Sequence, residues 1–489
     1  MTVEDARPAP VEPAARPGKT KRAYPLNAKN LFGLSTMRWT MIAGTSLMTS
    51  ALMLYLTDYS GLADAAVVAT VLLAAGRVLD AVDDPLQAFI MDRSPVTRIG
   101  KYKPFLLGGI VLATIAILML FNMPRDAAQW VKIAFLAFAY VLFEIGLSFQ
   151  PDMAIRATMT SDPKIREKLL VTPRIVEQVV AVPFSFFIAI ALMFGAMAGG
   201  DNHRGFSLTT LIFVVPIAIV AFIGALSIKE GPYAQPAGDK VGLRDVVAMF
   251  RGNPPLWVSQ LAGFIGGCIF PFVIAAAAYY IKWAFGPANF GTYSAVFGAS
   301  ILLGIIVGTI LAPIVLKRTT PARGVMVCAL AQVVPLALIY VLHFVIAMPP
   351  VVFFVLLFAM MVASGMGYIP GSLINMECMD YNRWKRGKGL EAMVQAVGSF
   401  TTKAQTALAG LATGAVLLAI HYDAALYESE DYVNAGGTVP PELLNGLVFV
   451  LCLIPVILGV VAAVVIAFYP LKKDERDRMY SELRSTSER

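Results

Sequence analysis

About twelve stretches of this chain are each apolar over roughly 20 residues, the length of helix that crosses the hydrocarbon of a bilayer. They run Thr36–Thr57, Ala65–Met91, Pro104–Asn122, Trp130–Gln150, Arg174–Ala198 and Leu208–Ile228, then Pro255–Ala284, Tyr293–Leu316, Gly324–Ile346, Val351–Leu373, Leu390–Ile420 and Leu443–Tyr469. Backbone in lipid must satisfy its own hydrogen bonds, and continuous apolar runs do so as helices. The fold class is therefore all-α and integral to a membrane. Composition agrees: charged residues make up 15% of the chain, against about 25% in soluble domains.

The polar segments set the organisation. Residues 1–34, rich in Pro, Ala and charge, read as a disordered tail without a cleavable signal. A longer polar link at 229–251 separates six runs (35–228) from six more (252–470), and 471–489 is a charged tail. The second half echoes the first: RIVEQVVAV (Arg174–Val182) and GLEAMVQAV (Gly389–Val397) both open a span with Glu and Gln after a basic loop. Two pseudo-symmetric six-helix bundles around a central site are expected, a design suited to alternating access. Lys and Arg alternate between loops: Arg93 to Lys103, Arg156 to Lys168, the middle link, Lys317 to Arg323 and Arg383 to Lys388 are basic, and the loops between them are not. The positive-inside rule then places both termini in the cytoplasm, with the chain in a bacterial-type inner membrane. The net charge of +7 belongs to these loops and does not indicate a nucleic-acid partner. A monomer among membrane lipids is expected.

Ionisable groups at membrane depth are costly, about 2.5–3.5 kcal/mol each even on insertion scales. The second run nevertheless carries Arg77, Asp80, Asp83, Asp84 and Pro85. At about 100° per residue Arg77, Asp80 and Asp84 share a face, and Asp83 points elsewhere. Two carboxylates one turn apart can coordinate Na⁺ or hold a proton, or they can simply pair with Arg77. We take Asp80 and Asp84 as cation ligands and Asp83 as an accessory. Lys403 is too deep in its run to reach water and needs a carboxylate or an anionic ligand. Arg174, Glu177 and Gln178 open the fifth run and are taken as candidate substrate contacts, although Glu177 could instead simply pair with Arg174 at i,i+3. Tyr368, in SGMGYIPGS, could stack on a ring. Span 4 adds Glu144, Ser148, Gln150 and Asp152. The loop DRSPVTRIGKYKP offers Asp92, Arg98 and Lys101 as gate groups.

Enzymatic sets are absent: there is no G-x-S-x-G, H-E-x-x-H or phosphate loop, and no soluble stretch long enough to be a nucleotide-binding domain. The four cysteines and three histidines have no disulfide or metal spacing. No cofactor is expected beyond a coupling ion, H⁺ or Na⁺.

Five motifs in order resemble the glycoside–pentoside–hexuronide:cation symporter family of the major facilitator superfamily. They are LYLTDYSG (Leu54–Gly61), RVLDAVDDP, RIGKYKP, SDPKIREKLLVTPR (Ser161–Arg174) and ECMDYNRWKRGKGLE (Glu377–Glu391). The resemblance spans about Asn30 to Tyr469. It implies cation-binding carboxylates at Asp80 and Asp84, with the family's intervening Asn at Asp83, a sugar-site Arg at Arg174, a Lys near the cation site at Lys403, and an aromatic of the sugar pocket at Tyr368. With Arg77, Asp92, Arg98 and Lys101, the signature acids Asp380 and Glu391 are expected to couple or gate. Three family positions differ: the helix I Asp falls near Ile42, the helix IV Asp near Phe149, and a helix IV Thr of the Na⁺ site near Gly146. The basic groups stay while acids that grip neutral sugars are gone, so a sugar acid is a candidate solute. The expected function is cation-coupled symport of a sugar or sugar acid. The rival readings are a proton-driven exporter of amphipathic compounds and a non-transporting membrane sensor.

Overall fold

The structure is a computed structural model that describes residues 25–62, 68, 71, 83–231, 242–346, 348–419 and 439–487. Among these residues nine helices are long and apolar enough to cross a membrane, and a bent first helix makes ten. The helix Glu391–Ala419 is 29 residues long. Most of the run Ala65–Met91 lies outside the described residues; the chain is helical again over 83–93.

The first span bends by 53° between Ala28–Met48 and Leu52–Tyr59, the latter ending in a π-turn over Tyr55–Tyr59. Such breaks in the hydrogen-bond ladder are a common cause of sharp kinks. Residues 28–34, assigned by composition to the tail, are helical instead. Asn27 caps the helix by accepting from the Asn30 N–H at 2.7 Å. Asn30, fully buried, donates from its amide to the Pro25 carbonyl and accepts from the Lys229 N–H at 2.9 Å. Those bonds order a polar stretch that composition reads as loose.

Each bundle has its own apolar core. One gathers Leu47, Tyr55, Phe121, Phe143, Phe187 and Phe206; the other gathers Phe272, Tyr280, Phe353, Leu357 and Leu451. A third core draws on both bundles at the end that carries the basic loops, with Leu106, Ile155 and Leu170 beside Ile369, Met376 and Met393. The bundles are therefore closed upon each other at this basic end. The final helix, Lys473–Ser487, joins that core through Met479, Tyr480 and Leu483 rather than extending as a tail. Its Arg476 lies 3.6 Å from Glu377, and Glu482 accepts from the Trp384 indole at 2.6 Å.

At the opposite end the two halves repeat a polar contact. Tyr55 meets His203 at 3.0 Å and accepts from the Met123 N–H; Tyr280 meets His343 at 3.0 Å, and His343 meets Asn445 at 3.1 Å.

Glycine sets the closest helix crossings. Gly304 and Gly308, spaced as G-x-x-x-G, pack on Met361–Val362 and Val362–Met366 respectively, and a Cβ at Gly308 would lie 2.0 Å from the Val362 carbonyl oxygen. Gly308→Leu is expected to cost about 1–3 kcal/mol or more by overpacking. A thermal melt of purified protein in detergent checks this; an unchanged Tm would contradict it.

Candidate functional site

The deepest charged contact joins the bundles. Lys403 stands twelve residues into its helix, about 18 Å at 1.5 Å per residue. Its Nζ lies 2.9 Å from Asp84 Oδ2, and the Ser148 hydroxyl donates to Asp84 Oδ1 at 2.6 Å. Asp84 is buried, while the Lys403 side chain keeps 32% of its exposure. Asp83 turns away, accepting from Gln87 at 2.5 Å, as the helical spacing requires. Arg77 and Asp80 lie outside the described residues. Glu144 is buried in the helix Gln129–Ser148.

The missing hydroxyl at Gly146 has a steric reason. A Cβ there would come within 2.6 Å of the Ala113 backbone nitrogen, because this face packs directly on the helix Lys103–Leu120. Ser148, two residues later, supplies a hydroxyl to the same carboxylate instead.

Arg174 and Tyr368 meet across the bundle interface, with the guanidinium 4.3 Å from the ring centroid. At this range a cation–π contact contributes about 0.5–2 kcal/mol. Arg174 and Glu177 are 3.6 Å apart, the i,i+3 pair. Gln178 is half-buried on the same helix and contacts none of these groups.

Sequence reasoning missed two members of this cluster. Arg38 reaches Asp152 at 3.2 Å and Glu177 at 3.8 Å. Arg156 reaches Asp152 at 2.8 Å and Glu177 at 3.7 Å. Counting Arg156 and Arg166 as loop charge was also an error: each is 1% exposed. The available signal was Arg38 itself, a cation one turn inside the first apolar run with no acid in reach on its own helix.

The basic end is sealed by polar contacts between bundles. Asp92 caps the helix Glu391–Ala419, accepting from the Ala392 and Met393 N–H groups at 3.1 and 2.8 Å. The Tyr102 hydroxyl bridges Asp92 and Glu391 at 2.7 and 2.9 Å. Lys101 is buried beside that tyrosine, its ammonium 5.1 Å from the ring centroid. Arg166 forks onto Asp380, which also holds Arg383 at 3.0 Å, and Arg383 continues to Glu391. Gln395 donates to Asp152 at 3.0 Å and to the Gln150 carbonyl at 2.9 Å, and it accepts from the Met153 and Ala154 N–H groups.

Arg98 does not join this seal. It is exposed on the turn Thr97–Gly100 and makes no ion pair among the described residues. Gly100 takes φ +129° there, and Glu230 fills the space where a side chain would be. Glu230 accepts from the backbone N–H groups of Lys101, Tyr102 and Lys103. Burial pushes its carboxyl above the usual range, opposed by those three donors.

Residues 34–473 match the family described as MFS/sugar transport protein. The chain belongs to that family. It is 24% identical over 433 residues to the isoprimeverose transporter of Lactiplantibacillus pentosus, covering 86% of this chain and 87% of that one. It is 24% identical over 443 residues to the glucuronide carrier protein homolog of Escherichia coli (strain K12), covering 88% and 89%. Its fold matches an outward-facing bacterial homologue of the iron transporter ferroportin with a TM-score of 0.62 at 15% identity, over 91% of this chain and 99% of that one. This MFS sugar-transport protein is thus a multi-pass membrane protein of the all-α two-bundle fold, and not an enzyme.

Proposed function

We propose that this MFS protein takes up a sugar-like solute together with H⁺ or Na⁺ by alternating access, and that the solute is acidic. The observation that carries the reading is the Lys403 ammonium seated on Asp84 across the bundle interface. A carboxylate at this depth needs a positive partner. A coupling cation arriving at Asp84, with Asp80 and Asp83 nearby in sequence, takes over that role and releases Lys403 toward the solute. Ion and solute sites are linked in this way without a conformational step of their own. Arg174 and Tyr368 offer a guanidinium beside an aromatic face, chemistry that suits a carboxylated ring.

The chain keeps no acid at Ile42 or Phe149 to grip neutral hydroxyls, which supports the acidic class. The basic loops support a cytoplasmic location for both termini in an inner membrane. The sealed basic end is then the inner gate, closed in the form described here.

The test is uptake into proteoliposomes of a panel of neutral and acidic sugars under separate Na⁺ and H⁺ gradients. Accumulation of an acidic sugar under one gradient only is expected, and it names the ion. Uptake confined to a neutral glycoside would overturn the acidic class. Expulsion of hydrophobic compounds with no sugar moving would overturn the symport reading. Tyr368→Ala is expected to raise KM about 5- to 30-fold, the equivalent of about 1–2 kcal/mol. An unchanged KM would remove Tyr368 from the site.

A further inference from the structure

We propose that Glu177 is a positioning residue that transmits solute binding at Arg174 to the inner gate, and not a solute ligand; this rests on the reading of Arg174 as a solute contact.

Glu177 is 2% exposed, so no solute reaches it without displacing its neighbours. Three guanidiniums surround it, Arg174 at 3.6 Å, Arg156 at 3.7 Å and Arg38 at 3.8 Å. Among the described residues neither carboxylate oxygen makes a hydrogen bond, and the Nε groups of all three arginines have no hydrogen-bond partner. Glu177 is thus held between three partners and committed to none. A buried carboxylate in that position moves toward whichever cations remain when one is withdrawn.

The other acid of the cluster is held tightly. Asp152 takes Arg156 at 2.8 Å and Arg38 at 3.2 Å, the same two arginines that flank Glu177. It also takes the Gln395 amide from the opposite bundle at 3.0 Å. Gln395 in turn binds the first N–H groups of the helix Asp152–Met159. A contiguous path therefore runs from Tyr368 through Arg174, Glu177, Arg156 and Asp152 to Gln395. It starts at the solute pocket and ends in the gate. Three arginines against two acids leave one excess positive charge in the cluster.

The path has a direction. A solute that engages Arg174 draws it from Glu177. Glu177 then closes on Arg156 and Arg38 and competes with Asp152 for them. Asp152, buried and less neutralised, gains by hydration, which requires the gate around Gln395 to open. The two arrangements form a two-state element biased from the solute site, which is the physical requirement for coupling between sites.

The experiment compares wild type, Glu177→Gln, Glu177→Asp, Gln395→Ala and Arg174→Ala as full-length protein in proteoliposomes. Three quantities are read: equilibrium binding of radiolabelled glucuronate and of a neutral methyl galactoside, uptake of both, and the rate at which an impermeant maleimide modifies a cysteine placed at Met393 from the gate side, in a background with the four native cysteines replaced by serine. Glu177→Gln is expected to bind within about threefold of wild type, yet to lose at least tenfold in uptake, within the 5- to 150-fold span of site coupling. It is also expected to change sugar-free labelling at position 393 at least tenfold. Glu177→Asp should recover part of both, and Gln395→Ala should raise labelling. A tenfold loss of binding in Glu177→Gln would make Glu177 a ligand and overturn the proposal, as would wild-type labelling and uptake. The labelling arm requires no transported sugar. Wild-type binding and uptake in Arg174→Ala would instead sink the assignment of the solute site.

Discussion

Asp84→Asn is expected to abolish gradient-driven accumulation, by at least 100-fold in the ratio of internal to external solute, while leaving downhill flux measurable. The amide keeps the shape of the side chain and its bond to Ser148, 2.6 Å away in the acid form. It removes the charge that holds Lys403 at 2.9 Å. Without that charge neither a proton nor Na⁺ has a reason to bind, so solute movement loses its driving gradient. Lys403 is partly exposed, so the lost ion pair costs stability only modestly, on the order of 1 kcal/mol after solvent screening. Loss of accumulation with a nearly unchanged Tm separates a coupling defect from misfolding. Full accumulation by Asp84→Asn under the same gradient would remove the aspartate from the ion site.

Asp380→Asn is expected to unlock the inner gate. Asp380 is fully buried, and its two oxygens accept the fork of Arg166 and a third bond from Arg383. Removing one partner of such a buried pair typically costs about 3–5 kcal/mol, because the remaining guanidinium stays desolvated. Arg166 keeps the Thr160 carbonyl at 2.6 Å but loses its ion pair with Asp380 across the bundle interface. The cost falls on the closed form, so the population opening toward the basic end rises by about two to three orders of magnitude. Labelling of a gate cysteine from that side reads the shift. Pairing Asp380→Asn with Arg166→Gln removes the orphaned charge and is expected to restore part of the closure. A labelling rate equal to wild type in the single variant would show that the seal rests elsewhere.

Much of this architecture was legible in the chain because lipid leaves few choices. Continuous apolar runs must be helices, and RVLDAVDDP, Arg174, Tyr368 and Lys403 stand out against them. The helical period alone separates Asp83 from Asp84, and the structure gives them different partners. What was illegible depends on pairing between distant helices. Arg38 looked like the start of a span until Asp152, 114 residues away, accepted its guanidinium. Arg156 and Arg166 had the sequence context of topogenic loop charge, and only burial distinguishes them from Lys164 beside them. Arg98 failed in the opposite sense, because a tight turn at Gly100 carries it to the surface. The charged final helix read as solvated tail, since three buried side chains in fifteen residues leave a weak apolar stripe.

The chemistry of the seal has a thermal consequence. Its contacts at Asp92, Tyr102, Asp380, Glu391 and Gln395 are charges and hydrogen bonds laid over the most extensive of the apolar cores among the described residues. Wetting polar surface lowers the heat capacity, whereas wetting apolar surface raises it, and the two offset. Because that core is large, opening at this end is expected to raise the heat capacity, by less than the apolar area alone would give. The van't Hoff line for opening should then curve, and the balance between closed and open forms should shift as the membrane warms or cools.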